Sequence, residues 1–383
     1  MQLSFREIYK LHQDDKANQT LHTWIYGAEA IALLIGAIDS GIVDALRTTD
    51  NADKIAALTG LDKERILDVL HALESHALIK RHNNIFRMSK RLELLTSKDA
   101  TRPLIDILKA ANVRIHQLEG LRHADQISTT LSADGVLSIA QGIVISALSF
   151  ARNFMGVGLG ETMPELKRLW QTGACHLEAG CGVGNTLFQI LTTFPKVTAI
   201  GVEIEAETAK EARRRADILG ITDRAEIRQM DVCALKERNL FDTAQWSQMF
   251  FSQEHRVDVL HVLFRAIKPK GYVFMPILPS DPSNIWAYRG NMLRMALKSL
   301  NSEPFISVVY LKSLLLTLPR HQRAEKQIAS LNRLLYGIWG VPMRTTIELK
   351  AEVENSGFRV LRIIPTPVSQ FFPNRGLLLA QRP

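Results

Sequence analysis

The stretch Cys175-His176-Leu177-Glu178-Ala179-Gly180-Cys181-Gly182-Val183-Gly184-Asn185 decides how this chain of 383 residues is read. It opens as an apolar strand-like run, passes through a turn carrying Gly180, Gly182 and Gly184, and continues into Thr186 to Phe194, whose spacing predicts a helix. Glycines let the backbone approach a ligand closely, and the start of a helix offers unpaired N–H groups, so this order implies a nucleotide-like ligand. A dinucleotide fingerprint spaces its glycines G-x-G-x-x-G. Here they recur at every second position, and Asn185 stands where the third would fall, which favours an adenosyl ligand over a dinucleotide.

Downstream, strand and helix patterns alternate, as in a parallel sheet with helices on both faces. The expected strands are Cys175 to Ala179, Val197 to Glu203, Ala225 to Met230, Thr243 to Met249 and Tyr272 to Pro276. Phe358 to Ile364 and Gly376 to Gln381 then read as an antiparallel pair closing the sheet, with no helix between them. The expected fold class is α/β, a Rossmann-like seven-stranded mixed sheet. Glu203 ends the second strand, nineteen residues after Gly184, where a carboxylate can accept both hydroxyls of a ribose. Asp231 follows the third strand, where it can accept from an adenine amino group. Acids at successive strand ends along one sheet edge make a ligand site far more specific than either acid alone.

Upstream, Ala28 to Leu46, Asn51 to Gly60 and Asp62 to Ile79 read as three helices. The turn Asn83-Asn84 then joins Leu78–Arg81 to Ile85–Met88 as a short hairpin. Three helices and a hairpin predict a mainly helical, winged-helix-like N-terminal domain. A DNA-reading helix should be basic, yet the third helix carries Asp62, Glu64, Asp68 and Glu74 against Lys63 and Arg65, so no nucleic-acid partner is expected. The expected division is 1–105 for this domain, 106–170 for linking helices, and 171–383 for the ligand-binding domain with a helical lid at about 280–345.

The net charge is +8, and residues 280–350 hold ten Lys/Arg against four Asp/Glu, so most of the excess lies in the lid. Cys175, Cys181 and Cys233 have no metal-like spacing and make no disulfide framework, so no metal is expected. The N-terminus lacks the apolar core of a signal peptide, which with the cysteine pattern favours the cytoplasm. The longest uncharged run, Gly135 to Ala151, is short for a membrane span and contains Gln141 and three serines; a buried helix is expected there and no membrane span.

LEAGCGVGN (177–185), GVEIE (201–205), QMDV (229–232) and Ala266 to Tyr272 resemble successive motifs of the class I S-adenosylmethionine-dependent methyltransferases, and the two-strand ending matches too. The N-terminal region resembles the dimerisation domain of small-molecule O-methyltransferases. The resemblance implies S-adenosyl-L-methionine as cofactor, a small-molecule acceptor, and a homodimer formed through the N-terminal domain. It places Glu178, Gly180, Cys181 and Gly182 near the methionine part, Glu203 at the ribose, Asp231 and Val232 at the adenine, and Ser247 at the end of the fourth strand.

The sequence departs from that family in one place. A histidine base stands after the fourth strand in plant-type O-methyltransferases, within a segment like H-D-W-S-D-E-H; Ser252-Gln253-Glu254-His255 matches its end, and counting back puts Met249 and Phe250 where the base and its neighbour would be. Methionine takes no proton. His255 is then the remaining catalytic candidate, with an ordinary helix histidine as the alternative. An acceptor reactive enough to need little assistance is implied: an enol, a carbon nucleophile, an amine or a carboxylate. Met249, Phe250, Arg289 and Arg294 are the candidate acceptor contacts, the arginines for an anionic group. Arg323, Lys326 and Trp286 belong to the same lid. The function expected is O-, C- or N-methylation of a small metabolite in specialised metabolism. The rivals are a winged-helix regulator that senses a ligand through a methyltransferase fold, and a non-methylating enzyme that retains the sulfonium.

Overall fold

The computed structural model describes residues 5–97, 103–119, 131–144, 163–277, 330–341, 343–365 and 376–383, with scattered positions between 289 and 315. Trp286, Arg323, Lys326 and residues 145–151 of the uncharged run lie outside the described residues. The chain forms two compact units, Met1–Val113 and Arg114–Pro383.

The first unit begins with one long helix, Phe5–Asp39, and continues with helices Ile42–Thr48, Ala52–Thr59 and Lys63–Ser75. The segment expected to be helical from Ala28 to Leu46 is interrupted at Gly41, whose φ of 78° is a left-handed conformation that a β-carbon disfavours. Asn51 and Asp62 start the next two helices by accepting backbone N–H groups with their side chains. Strands β1 (Ile79–His82) and β2 (Ile85–Met88) pair antiparallel around Asn83, the residue with left-handed φ. Ile55, Ile66, Leu70, Leu73 and Phe86 form the core of this unit. Within the first helix, His12–Asp39 is long and apolar enough to cross a membrane by length and composition, and only 11% of its apolar 18-residue window is buried. Leu21, Trp24 and Ile25 are exposed on it at i, i+3, i+4 spacing.

The second unit is built on a seven-stranded sheet. Its strands are β3 (Cys175–Ala179), β4 (Thr198–Glu203), β5 (Ala225–Gln229), β6 (Phe241–Trp246), β7 (Ile267–Ile277), β8 (Arg359–Pro365) and β9 (Gly376–Gln381). Their order is β5-β4-β3-β6-β7-β9-β8, parallel from β5 to β7 and antiparallel at β9 and β8. The chain moves outward from β3 to β5 and then returns to place β6 on the other side of β3. This reversal makes the carboxyl ends of β3 and β6 the topological switch point, the usual ligand crevice of such sheets.

The fourth strand, β6, departs from expectation at both ends. It starts at Phe241, which pairs with Ile267 before a register shift, and ends at Trp246. The Ser247 N–H donates to the Ala179 carbonyl, and Gln248–Phe250 then coil into a 3-10 turn, so the backbone leaves the sheet three residues early.

Helices Pro164–Thr172, Asn185–Thr193 and Ala206–Ile218 cover one face through Leu166, Trp170, Leu187, Ile190 and Ala212. Helices Arg256–Ala266 and Thr346–Asn355 cover the other through Val259, Leu260, Leu263, Leu349 and Val353. The first face contains one buried polar chain. The Thr243 hydroxyl accepts from Trp170 Nε1 at 3.1 Å and lies 2.8 Å from His176 Nδ1, and burial pushes His176 down to about 3, so the imidazole is neutral. Thr243→Val would strand both partners, each costing about 1–3 kcal/mol. We expect its melting temperature to fall several degrees below wild type in a thermal melt at pH 7, with the circular dichroism spectrum unchanged.

Candidate active site

At the end of β3 the chain reverses through Gly180, Gly182 and Gly184, with φ of 72°, 55° and 79°. A β-carbon on Gly180 would sit 2.8 Å from the Phe251 ring, and one on Gly184 would sit 2.3 Å from that of Phe188, so close packing as well as backbone conformation demands glycine there. Among the described residues a β-carbon on Gly182 would meet only Ala140, at 3.8 Å. Space at Gly182 is therefore left for a ligand, and the left-handed backbone keeps it clear. The turn is fastened to the next strand: the Gly180 and Cys181 N–H groups both donate to the Val202 carbonyl, and the Gly182 N–H donates to Glu203 Oε2 at 2.9 Å.

Glu203 thus holds the turn as well as ending β4. Its other oxygen accepts from the Glu205 N–H at 3.0 Å, and each oxygen keeps a further lone pair for a hydroxyl donor. Burial pushes its carboxyl upward against the pull of those N–H donors. Asp231 is exposed after β5; one oxygen accepts from the Cys233 N–H at 2.8 Å, beginning a short turn whose Val232 is buried. Cys181 is buried, and burial pushes its thiol up, so it is not a thiolate.

Glu178 is buried beneath the turn. It accepts from the Leu187 N–H at the start of helix Asn185–Thr193, while Oε2 has no hydrogen-bond partner. Burial, with a smaller contribution from the Glu203 charge, pushes this carboxyl up to about 8, so it is protonated at neutral pH.

Beyond β6, Ser247 is half-buried beside the turn, and Met249 is buried. Met249 forms an apolar cluster with Tyr336 and Val341, against which Trp339 and Met343 pack. Phe250, at 42% exposure, is not part of that cluster. The position of Met249 is set by an ion pair inside the protein. Arg256, fully buried, donates to both carboxylate oxygens of Glu352 at 2.8 and 2.7 Å and to the Gln248 carbonyl at 2.8 Å, and lies over the Trp246 ring. His255 is exposed at the start of its helix, its Nδ1 2.7 Å from the Ser252 hydroxyl. Arg289 is half-exposed and Arg294 exposed, both helical. The structure therefore gathers Glu178, Gly180, Cys181, Gly182, Glu203 and Ser247 around one turn, places Asp231 and Val232 at a neighbouring strand end, and adds Tyr336, Trp339, Val341 and Met343, which no local pattern flagged. Among the described residues no His, Cys, Asp and Glu cluster is placed to hold a metal ion.

Residues 177–271 match the family described as a methyltransferase domain. No curated protein matches the chain in sequence. In fold the chain is similar to the mitomycin 7-O-methyltransferase, at TM-score 0.62 and 16% identity, covering 97% of this chain and 99% of that one. It is similar to the human N-acetylserotonin methyltransferase solved with S-adenosylmethionine, at TM-score 0.60 and 14% identity, covering 96% and 97%. An O-methyltransferase family protein from Burkholderia thailandensis matches at TM-score 0.57 and 14% identity, covering 100% and 99%.

The Glu178 carboxyl carries a pH signature. Its folded value near 8 exceeds an unfolded value of 4.5, so the stability it contributes is complete below about pH 4.5 and is lost as pH rises toward 8. Without added ligand, the wild type is expected to lose stability relative to Glu178→Gln as pH rises from 5 to 8, by on the order of a few kcal/mol. Paired urea titrations across that range check it, and parallel curves for the two proteins would count against the buried neutral carboxyl.

Proposed function

We propose that this chain, a class I S-adenosylmethionine-dependent methyltransferase, moves a methyl group from that cofactor to a small, mainly apolar metabolite. The observation that carries the reading is the adjacency of two unlike surfaces at the switch point: the glycine turn with its acids, and the cluster of Met249, Tyr336 and Val341 immediately beyond β6. The turn fits the cofactor. Gly182 leaves a cradle, Glu178 keeps an unpartnered buried oxygen, and Glu203 and Asp231 keep acceptor capacity. In this reading Glu178 and residues 180–182 hold the methionine part, Glu203 the ribose, Asp231 and Val232 the adenine, and Ser247 lines the path to the acceptor.

When bound, S-adenosylmethionine supplies an electrophilic methyl carbon. What the protein adds is position and dryness: a fixed turn on one side, an apolar wall on the other, and water kept out by Tyr336 and Trp339. Met249 accepts no proton, and His255 is exposed, so the acceptor loses its proton without a base at the β6 end. That favours an acidic or electron-rich oxygen, carbon or nitrogen, and the apolar wall favours a metabolite over a macromolecule. The solved relatives named above include a mitomycin 7-O-methyltransferase, an enzyme named for a small-molecule acceptor, which supports the same reading.

The test is calorimetric titration of the full chain with S-adenosylmethionine and S-adenosylhomocysteine. Micromolar binding is expected for the wild type, at least tenfold weakened in Asp231→Ala and abolished in Gly182→Arg, which fills the cradle. A wild type that binds neither compound would falsify the reading.

The N-terminal domain completes the proposal as a dimer scaffold. Leu21, Trp24 and Ile25 are exposed on one face of the first helix and suit a second copy of the chain better than water. Light scattering after gel filtration is expected to give twice the chain mass of 43.0 kDa, and Trp24→Glu to shift it toward the single-chain mass. A monomeric wild type would overturn the scaffold role.

A further inference from the structure

The second unit contains a cation whose role the methyltransferase reading leaves open. Arg114 is half-buried near the end of helix Leu104–Glu119. Its Nη2 donates to Asn332 Oδ1 at 2.8 Å, and the Tyr336 phenol is close enough to act on it electrostatically. A guanidinium has five N–H donors in a planar fork. One is engaged by that amide, and among the described residues no carboxylate pairs with Arg114. Elsewhere in this unit Arg256 is paired with Glu352 at 2.7 Å and Arg362 with Glu165 at 2.6 Å, while Arg224 donates to the Leu191 and Val197 carbonyls. Burial lowers the basicity of Arg114 from its ordinary value, the mark of a cation partly stripped of water without a compensating anion.

The surroundings say what kind of anion would suit this cation. Asn332, Tyr336 and Trp339 lie at i, i+4 and i+7 on the helical segment 330–338 and its end, so they share one face. Tyr336 links the two: it packs in the cluster with Met249, just beyond the end of β6, and it acts electrostatically on Arg114. The Trp339 indole N–H, stacked edge-on to Tyr336 at 5.4 Å, is buried with no hydrogen-bond partner, a second donor in the cluster without an acceptor. An apolar wall of a thioether and aromatic rings, with a fork-shaped cation at one end, fits a flat apolar molecule carrying a carboxylate.

We propose that Arg114 is a specificity-determining residue of the acceptor site, gripping a carboxylate on a planar, apolar acceptor while Met249 and Tyr336 cover its ring system. This rests on the methyltransferase reading above and names the substrate class for it. It also moves the anion grip away from Arg289 and Arg294, where the charge distribution alone had put it. The carboxylate is a handle. Its lone pairs are engaged by the guanidinium, so the atom that receives the methyl group is a different nucleophile on the same acceptor.

The experiment is isothermal titration calorimetry on the full chain saturated with S-adenosylhomocysteine. The probes are benzoate, 2-naphthoate and anthracene-2-carboxylate, each compared with its neutral primary amide. At least one acid is expected to bind about tenfold more tightly than its amide. Arg114→Gln should erase that preference while amide affinity and S-adenosylhomocysteine affinity stay within about twofold, and Arg114→Lys should keep part of it. The proposal is overturned if no acid outbinds its amide in the wild type, a comparison that needs no variant, or if the preference survives in Arg114→Gln. Failure of the wild type to bind S-adenosylhomocysteine would instead bring down the methyltransferase reading itself. Normal cofactor binding without acid preference removes only the Arg114 role.

Discussion

The hydrogen bond from the Gly182 N–H to the Glu203 carboxylate is the constraint on which the rest of the second unit turns. It forms only if β3 and β4 are neighbours in the register that sets Ala179 beside Val202, because that register also brings the Val202 carbonyl under the Gly180 and Cys181 N–H groups. A slip of one residue would turn every side chain of the slipped strand to the other face. It would also empty the turn of its acceptors and leave buried N–H groups unpaired. Glycine at 180 and 184 follows from the same geometry, since side chains there would run into Phe251 and Phe188. Gly182 differs: it is glycine for its backbone conformation, and among the described residues only Ala140 comes near the room it leaves.

Beyond β6 the corresponding constraint is the Arg256–Glu352 pair. A buried ion pair adds little net stability over a well-packed apolar pair, but removing one partner costs about 3–5 kcal/mol because the other is left charged in the interior. Here the pair also fixes a position, since Arg256 holds the Gln248 carbonyl and so sets where the 3-10 turn carries Met249. The glycine turn and the methionine wall are thus held by separate devices on opposite sides of the switch point. In the proposed reading one binds the cofactor through backbone and acids, and the other holds the acceptor through apolar surface and the Arg114 guanidinium. That division lets a common cofactor site serve an acceptor site with its own chemistry.

Much of this was legible along the chain. The alternation of strand and helix after residue 171, the antiparallel ending, the hairpin at Asn83 and the grouping of Glu203 and Asp231 with the glycines all rest on periodicity, turn chemistry and spacing, which are local. Two local patterns misled. The apolar run from Ala28 to Leu46 has unbroken helical spacing, yet Gly41 and its left-handed φ divide it, and the first helix reaches back to Phe5. The β-like run from Thr243 to Met249 is cut at Trp246 because the Ser247 N–H is drawn to the Ala179 carbonyl of the adjacent strand. No spacing within the segment reveals a competitor that lies 68 residues earlier.

The sequence by itself determined the α/β class, the glycine turn and the acids at the neighbouring strand ends, because each follows from the order of residues within one strand–turn–helix unit or from its repetition. Only the tertiary structure decided that Glu178 is neutral, that Arg256 is spent on Glu352, and that Arg114 stands beside Asn332, 218 residues away, with no carboxylate of its own among the described residues. Burial and the pairing of charges depend on which distant segments pack together, and a one-dimensional pattern has no term for that.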